Sequence, residues 1–397
     1  MFRKVACAVS GGVDSAVTIH LLAKRGLDVT GVYMNNWDSF DETGKCSSNQ
    51  DMLDARKVCD TLKIPFLTID FVRQYWLDVF NYLIESYQKG FTPNPDIVCN
   101  KCIKFGTFHE HAMELGFHAV ATGHYAKSSF GDYLEKYDPC ENVDLDARLL
   151  RPVDSMKDQT FFLSSISQAA LRRTMFPLSK ILKGEVRRIA KEIGLGWLNE
   201  KRESTGICMI GKRNFAKFIE EVIALEPMSD GVLNFSKYIA EKPGKIIDVD
   251  SGQIISEHKG IHYFTMGQRV KLPGQRNAHF VAKLSAKDNI VYVASSSFHP
   301  ALYGKRLIVS DPHWVFGSPP ENLQKNGKMI CNFKFQHVQR MVRCQLGSCS
   351  NPADLWVTLD FPTRSLCLGQ FAVFYVDNEC LGSAEITRVE PLWYPLF

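Results

Sequence analysis

The sequence predicts an α/β N-terminal half on a doubly wound parallel sheet, then a strand-rich remainder that ends in a small antiparallel barrel or sandwich. Three observations carry this. Apolar strand-like runs alternate with helical periodicity up to about residue 210, and such alternation marks a parallel sheet flanked by helices. Beyond about Gly211 the helical signal gives way to short alternating runs separated by Gly, Pro, Asn and Ser. A chain of 397 residues also exceeds one ordinary core.

Val5–Val9, Val29–Met34, Phe66–Asp70 and Ala119–Thr122 are short apolar runs of strand length. Asp51–Lys63 and Tyr75–Tyr87 have helical length and pattern, and Phe105, Phe108, Ala112 and Leu115 recur as one helical stripe. Ser128–Arg148, polar and holding Gly131-Asp132 and Asp138-Pro139, is expected as an insertion or hairpin. Helical signal returns over Ser165–Met175 and over Glu185–Ile193. In the last hundred residues, Met329, Cys331, Phe333 and Phe335 alternate onto one strand face, as do Leu355, Val357, Leu359 and Phe361. That pattern suits a small barrel or sandwich.

Hydrophobic residues make up 45% and charged residues 23%, which excludes disordered, collagen-like and coiled-coil classes. Lys+Arg 47 against Asp+Glu 43 leaves +4, so nucleic-acid contact has to come from local patches. No run approaches the ~20 apolar residues of a membrane helix, and a soluble protein is expected. The 12 cysteines are spread along the chain behind a start without a secretory signal. Reduced thiols are therefore expected rather than a disulfide framework. Cys7, Cys59, Cys331, Cys367 and Cys380 sit in apolar patterns and read as core.

Chemistry concentrates in three places. After the first strand, Ser10-Gly11-Gly12-Val13-Asp14-Ser15 leads into a helix. A Gly-Gly turn lets backbone approach a ligand, and the helix N-terminus presents N–H groups and dipole to an anion. Neither the P-loop Gly-Lys-Ser/Thr nor the dinucleotide fingerprint is present. The loop looks like that of ATP pyrophosphatases, with Asp14 placed for a Mg²⁺ ion.

Second, Thr92-Pro93-Asn94-Pro95-Asp96 is a stiff loop, and Cys99 is expected where the next helix begins, its thiol acidified by the dipole. Third, Glu203–Gly211 presents Cys208 in a Gly-flanked loop, which suggests nucleophile chemistry. The competing reading of Cys99-Asn-Lys-Cys102 is half a zinc site or a redox dithiol. No second C-x-x-C or C-x-x-H completes four ligands, and no resident metal is expected.

Ser10–Ser15, Gly31–Trp37, Thr92–Phe105, Thr122–Tyr125, Lys157-Asp158-Gln159, Ser204–Gly211, Gly267-Gln268-Arg269 and Gly369–Val373 together resemble the tRNA-specific 2-thiouridylase family over nearly the whole chain. Arg172–Thr174, Gly211–Phe215 and His299–Tyr303 look more like its mitochondrial branch. The resemblance implies an adenine-nucleotide domain over 1–210, a small central domain over 211–300 and a C-terminal antiparallel β-barrel over 301–397, with ATP-dependent sulfur transfer to C2 of the wobble uridine in tRNAs for Lys, Glu and Gln. ATP would contact Ala8, Val9, Ser10, Gly11, Gly12, Val13, Asp14, Ser15, Met34 and Gly123. The tRNA would meet Asn94, Pro95, Asp96, His124, Lys157, Asp158, Gln159, Lys334, Phe335 and Gln370. Lys157 serves either the phosphate charge or the RNA backbone. Cys99 would be the nucleophile and Cys208 the persulfide carrier, the two ending as a disulfide. The sulfur would come from a cysteine desulfurase or a sulfur-relay protein.

The family's usual Arg-aromatic barrel dipeptide is here Lys334-Phe335, and Lys lacks the bidentate fork of Arg. Rival readings are an amidotransferase-linked synthetase, a non-catalytic tRNA-binding protein and a dithiol oxidoreductase. Cys99, Cys208 and Gly206 argue against the first, Asp14, Cys99 and Cys208 against the second, and the pyrophosphate loop, which a dithiol enzyme leaves unexplained, against the third. A mitochondrial location follows from the branch alone, with a cytoplasmic one as the alternative.

Overall fold

A computed structural model describes residues 3–37, 47–137, 146–201, 241–272 and 278–392. The first sheet contains β1 (Lys4–Ala8), β2 (Asp28–Asn35), β3 (Phe66–Asp70) and β4 (Ala119–Ala121). The short strands β5 (Lys127–Ser128) and β6 (Leu149–Leu150) leave it, and β7 (Thr174–Met175) returns. Its order is β3-β2-β1-β4-β7, all parallel. Alternation along β1 explains why both faces are covered. Val5 and Cys7 join one apolar cluster with Val17 and Ile19, whereas Ala6 joins another with Val79, Ile103 and Val120.

Helix α1 (Val13–Lys24) follows β1 and α2 (Ser47–Leu62) follows β2. The third helix, α3, runs 72–88 and passes through a π-helical stretch at Trp76–Phe80. The fourth, α4, runs 95–114, with Asn100–Thr107 π-helical. Its start is four residues earlier than Cys99, at Pro95, with the Asn94 side chain accepting from the Ile97 N–H at 3.3 Å. Pro at the first helical position and Asn as its cap fix that start. The expected helix over Ser165–Met175 is mostly absent. Only α5 (Gln168–Leu171) forms, because Thr174 and Met175 are claimed as β7 beside Val120 and Ala121. Helix α6 (Lys183–Glu192) then packs on α1.

The second sheet is β8 (Gly244–Asp248), β9 (Ile254–His258), β10 (Arg269–Val270), β11 (His279–Ser285) and β12 (Ile290–Ala294), in the order β10-β11-β12-β8-β9. The third has β13 (Tyr303–Trp314), β14 (Lys328–Lys334), β15 (Val342–Ser348), β16 (Asp354–Arg364), β17 (Phe371–Val376) and β18 (Glu379–Pro391). Pairing of β13 with both β16 and β18 closes it into a barrel, which removes free edges. The hairpin β5–β6 from the N-terminal half attaches to β18 through Leu150↔Glu379, so the barrel is stitched to the nucleotide domain.

Met329, Cys331, Phe333 and Phe335 all enter the barrel core. The second face breaks at its last member: Phe361 is 72% exposed. Between the pairs Arg306↔Thr358 and Gly304↔Thr363 the register shifts, and a bulge resets the side to which each residue points. Cys7, Cys59, Cys331, Cys367 and Cys380 are buried as expected. Burial pushes the Cys59 and Cys367 thiols up to about 12, a state in which they are inert.

Burial lowers the imidazoles of His109 (to about 4), His124, His258, His262, His313 and His337. Their folded-state pKa lies below the unfolded value, so the unfolded chain binds more protons between the two. Stability is therefore fully present above about pH 6.5 and lost as pH falls toward 4, with His109 alone contributing on the order of 3 kcal/mol. Urea midpoints measured from pH 7 to pH 4.5 should fall steadily; a flat profile would show that these rings are solvated.

Candidate active site

The β1 strand lies where the sheet order reverses, since β2 and β3 extend to one side and β4 and β7 to the other. Ligands of doubly wound sheets bind outside the carboxyl ends of strands at that switch point. The loop Val9–Gly12 occupies it. Ser10 N–H donates to Ser15 Oγ at 3.1 Å, and Ser15 Oγ donates to the Gly12 carbonyl at 3.0 Å, which closes the loop on the first turn of α1. Gly11 has φ +70°, and a Cβ there would stand 2.5 Å from the Asp51 carbonyl oxygen of α2. Val9 and Val13 anchor the loop in the core. Gly123, just past β4, lets its backbone press on the start of α1, for a Cβ there would lie 2.8 Å from Ser15 N.

Asp14 is held by two groups. Lys183 Nζ donates to both carboxylate oxygens at 2.7 Å, and the Tyr125 hydroxyl donates to Oδ1 at 2.9 Å. A second cation, Lys201, bonds the Gly11 carbonyl at 3.1 Å and Asp51 at 3.0 Å, and also pairs with Asp54. These lysines come from α6 and from the chain beyond it, far from the loop in sequence. No periodicity or motif marks them, and sequence reasoning missed them. Both are paired with carboxylates, Lys183 with Asp14 and Lys201 with Asp51 and Asp54.

On the neighbouring wall, His124 Nδ1 lies 2.9 Å from Thr122 Oγ1, and its ring meets Phe105 at 5.7 Å. Burial and then Lys104 hold the imidazole well below its usual value, so it is neutral. Gln159 clamps the adjacent backbone, its Oε1 accepting from Tyr125 N–H at 2.9 Å. The Asn94 loop is fixed from the barrel side. Gln370 Nε2 donates to the carbonyls of Thr92 at 3.0 Å and Pro93 at 3.2 Å, and Asn94 Nδ2 donates to Gln370 Oε1 at 3.3 Å. Asn94 thus caps α4 through its oxygen and reaches the barrel through its nitrogen. Pro95 opens α4, and burial raises the Asp96 carboxyl against the pull of Lys104.

Cys99 is 5% exposed, in the cluster against which the partly buried Ala8 and Met34 pack. The expected thiol at a helix start is corrected to one a full turn inside α4, so the first-turn dipole contributes less than expected. Cys208 falls outside the described residues, and with it the expected Cys99–Cys208 pairing. Lys157 stands half-buried in a turn, its N–H donating to the Asp154 carbonyl. Asp158 is buried, pairing with Arg151 Nε at 2.7 Å, while His337 of the barrel reaches its carbonyl at 2.8 Å. Its backbone carbonyl thus meets the barrel, while its carboxylate stays within the N-terminal domain, on Arg151 and Thr160. Lys334 and Phe335 are 7% and 1% exposed, inside the barrel rather than on its surface.

Three family models match this chain in sequence: a tRNA methyl transferase HUP domain over residues 3–212, a tRNA methyl transferase PRC-barrel domain over 234–295 and an aminomethyltransferase beta-barrel domain over 304–386. Mitochondrial tRNA-specific 2-thiouridylase 1 of Drosophila melanogaster is 47% identical, covering 99% of this chain and 96% of its own length. The Homo sapiens protein of the same name is 43% identical over 99% of this chain and 92% of its own. The tRNA-specific 2-thiouridylase MnmA of Staphylococcus aureus (strain JH9) is 40% identical over 97% and 95%. With a matching model over more than half its length and full-length relatives at this identity, the chain belongs to the tRNA-specific 2-thiouridylase family.

Proposed function

We propose that this protein is a tRNA-uridine 2-sulfurtransferase, which activates C2 of a tRNA uridine with ATP and replaces the oxygen with sulfur. The observation that carries the chemistry is the Gly11–Ser15 loop at the switch point, with Lys183 beside it on Asp14. A uridine carbonyl oxygen is a poor leaving group. Its attack on the α-phosphate of ATP, with pyrophosphate departing, makes it part of AMP, a good one. The loop N–H groups and Lys183 would hold the pyrophosphate charge as it develops.

Asp14 fits a Mg²⁺ ion bound in the usual way, by one carboxylate plus phosphate oxygens and water. No cluster of three His, Cys, Asp or Glu groups exists among the described residues to hold a resident metal. When bound, the ion would neutralise phosphate charge. Asp14 must then exchange its lysine partner, leaving the Lys183 ammonium for phosphate. Replacing Lys183 with Met should raise the KM for ATP roughly 10- to 100-fold, an ionic contact's worth, with tRNA affinity unchanged. An unchanged KM would remove Lys183 from the site.

The target base must leave the anticodon stack, at a few kcal/mol, to meet Asn94, Asp96, His124 and Gln370. Sulfur would arrive as a persulfide on Cys208 from an external donor. Its terminal sulfur attacks C2 and expels AMP, after which Cys99 attacks Cys208 Sγ and releases the thione. Alternatively Cys99 attacks first and frees sulfide as the nucleophile. Both routes leave a Cys99–Cys208 disulfide that an external thiol must reduce. The similarity to mitochondrial relatives supports action on mitochondrial tRNA. Incubating the protein with ATP, a cysteine desulfurase plus cysteine as persulfide donor, an external thiol and unmodified tRNA from each compartment tests the whole proposal. Pyrophosphate with 2-thiouridine is expected; pyrophosphate without thiolated tRNA would refute it.

A further inference from the structure

Helix α4, the segment 165–169 and the barrel strand β13 enclose a cavity of about 510 Å³ away from the phosphate loop, within the size range of small-ligand sites. Phe105 and Met113 give it apolar walls, Lys101 and Glu110 carry charge, and His109 and His313 complete it. His313 is satisfied by the Ile166 carbonyl at 2.8 Å. His109 is not: the residue is 7% exposed, and its Nε2 has no hydrogen-bond partner among the described residues. Such a nitrogen costs about 1–3 kcal/mol unless something else pairs with it. Arg173 adds a second cation, its Nη1 lying 3.4 Å from Met113 Sδ, against the single carboxylate of Glu110.

A purely apolar guest would leave the buried His109 nitrogen unanswered. A bare anion would leave Phe105, Met113 and most of the volume unused. A flat heteroaromatic base bearing a phosphate uses all of them, through apolar contact with Phe105 and Met113, an edge atom at His109 and charge at Lys101. Phe105 also meets His124 of the candidate active site, with ring centroids 5.7 Å apart, so this ring touches both places.

We propose that this cavity is a second nucleotide-binding site, taking one base and phosphate either from bound tRNA beside the target uridine or from a free nucleotide. The tRNA source rests on the function proposed above; the free source does not.

The test uses full-length protein labelled at methionine methyl groups, titrated with uridine 5′-monophosphate and with an anticodon stem-loop RNA, and read by NMR at Met113. A shift with either probe, lost in Lys101→Glu and in His109→Leu, is the expected result and also tells the two sources apart. Lys101 is exposed, so Lys101→Glu stays informative if His109→Leu fails to fold. A Met113 signal unmoved by both probes, or moved equally in Lys101→Glu, would overturn the site. Thiolation by the wild-type protein, assayed on the same preparation, separates failure of the cavity from failure of the proposed reaction.

Discussion

Serine at position 99 or at position 208 should each lower 2-thiouridine formation by roughly three orders of magnitude or more, the scale seen when a nucleophile that acts as part of a unit is removed. The same variants should bind tRNA within about twofold of wild type, because serine is nearly isosteric and removes no charge contact. Cys99 is buried in one cluster with Val98 and Ile103, so a modest fall in stability is also expected, since a hydroxyl there needs a partner. A melting curve beside the assay separates that loss from loss of chemistry. Appreciable thiolated product from either variant would break the assignment.

The second large effect is expected at Gly11. Alanine there meets two obstacles: φ +70°, and a Cβ 2.5 Å from a backbone oxygen of α2 that cannot swing aside. The loop has to shift by an ångström or so, and misplacement on that scale costs about 100-fold in rate. Gly11→Ala should thus reduce ATP-dependent pyrophosphate release by about that factor and lower the melting temperature. Gly12 is the control. Its backbone is extended and its nearest neighbour would be 3.4 Å away, so Gly12→Ala should leave the melting temperature unchanged. Equal pyrophosphate release from wild type and Gly11→Ala would show that the loop does not cradle phosphate.

The parts of this molecule that sequence made legible are those written in contiguous residues. The β1–loop–α1 unit shows itself in one stretch, and so do Phe66–Asp70 and the alternation along β14. What escaped was made by distant partners. Lys183 and Lys201 reach Asp14 and Gly11 only after α6 has packed on α1. Asp158 sits in a motif associated with tRNA, yet folding turns its carboxylate inward to Arg151. Phe361 continues an apolar alternation that a bulge overrides, and Thr174-Met175 leaves a helical pattern because β4 offers it a ladder. One error was avoidable. Asn94-Pro95 is a cap followed by proline at the first helical position, and it announces the helix start before Cys99 does.

The pairing of two sulfurs is the claim most directly open to measurement. Protein carrying persulfide would be mixed with ATP and unmodified tRNA for one turnover without external thiol, then alkylated, digested and mapped by mass spectrometry. A linkage joining residues 99 and 208, formed in step with 2-thiouridine, is the predicted result. Thiolated tRNA accompanied by alkylated thiols at both positions, or by a bond to Cys102 instead, would contradict it.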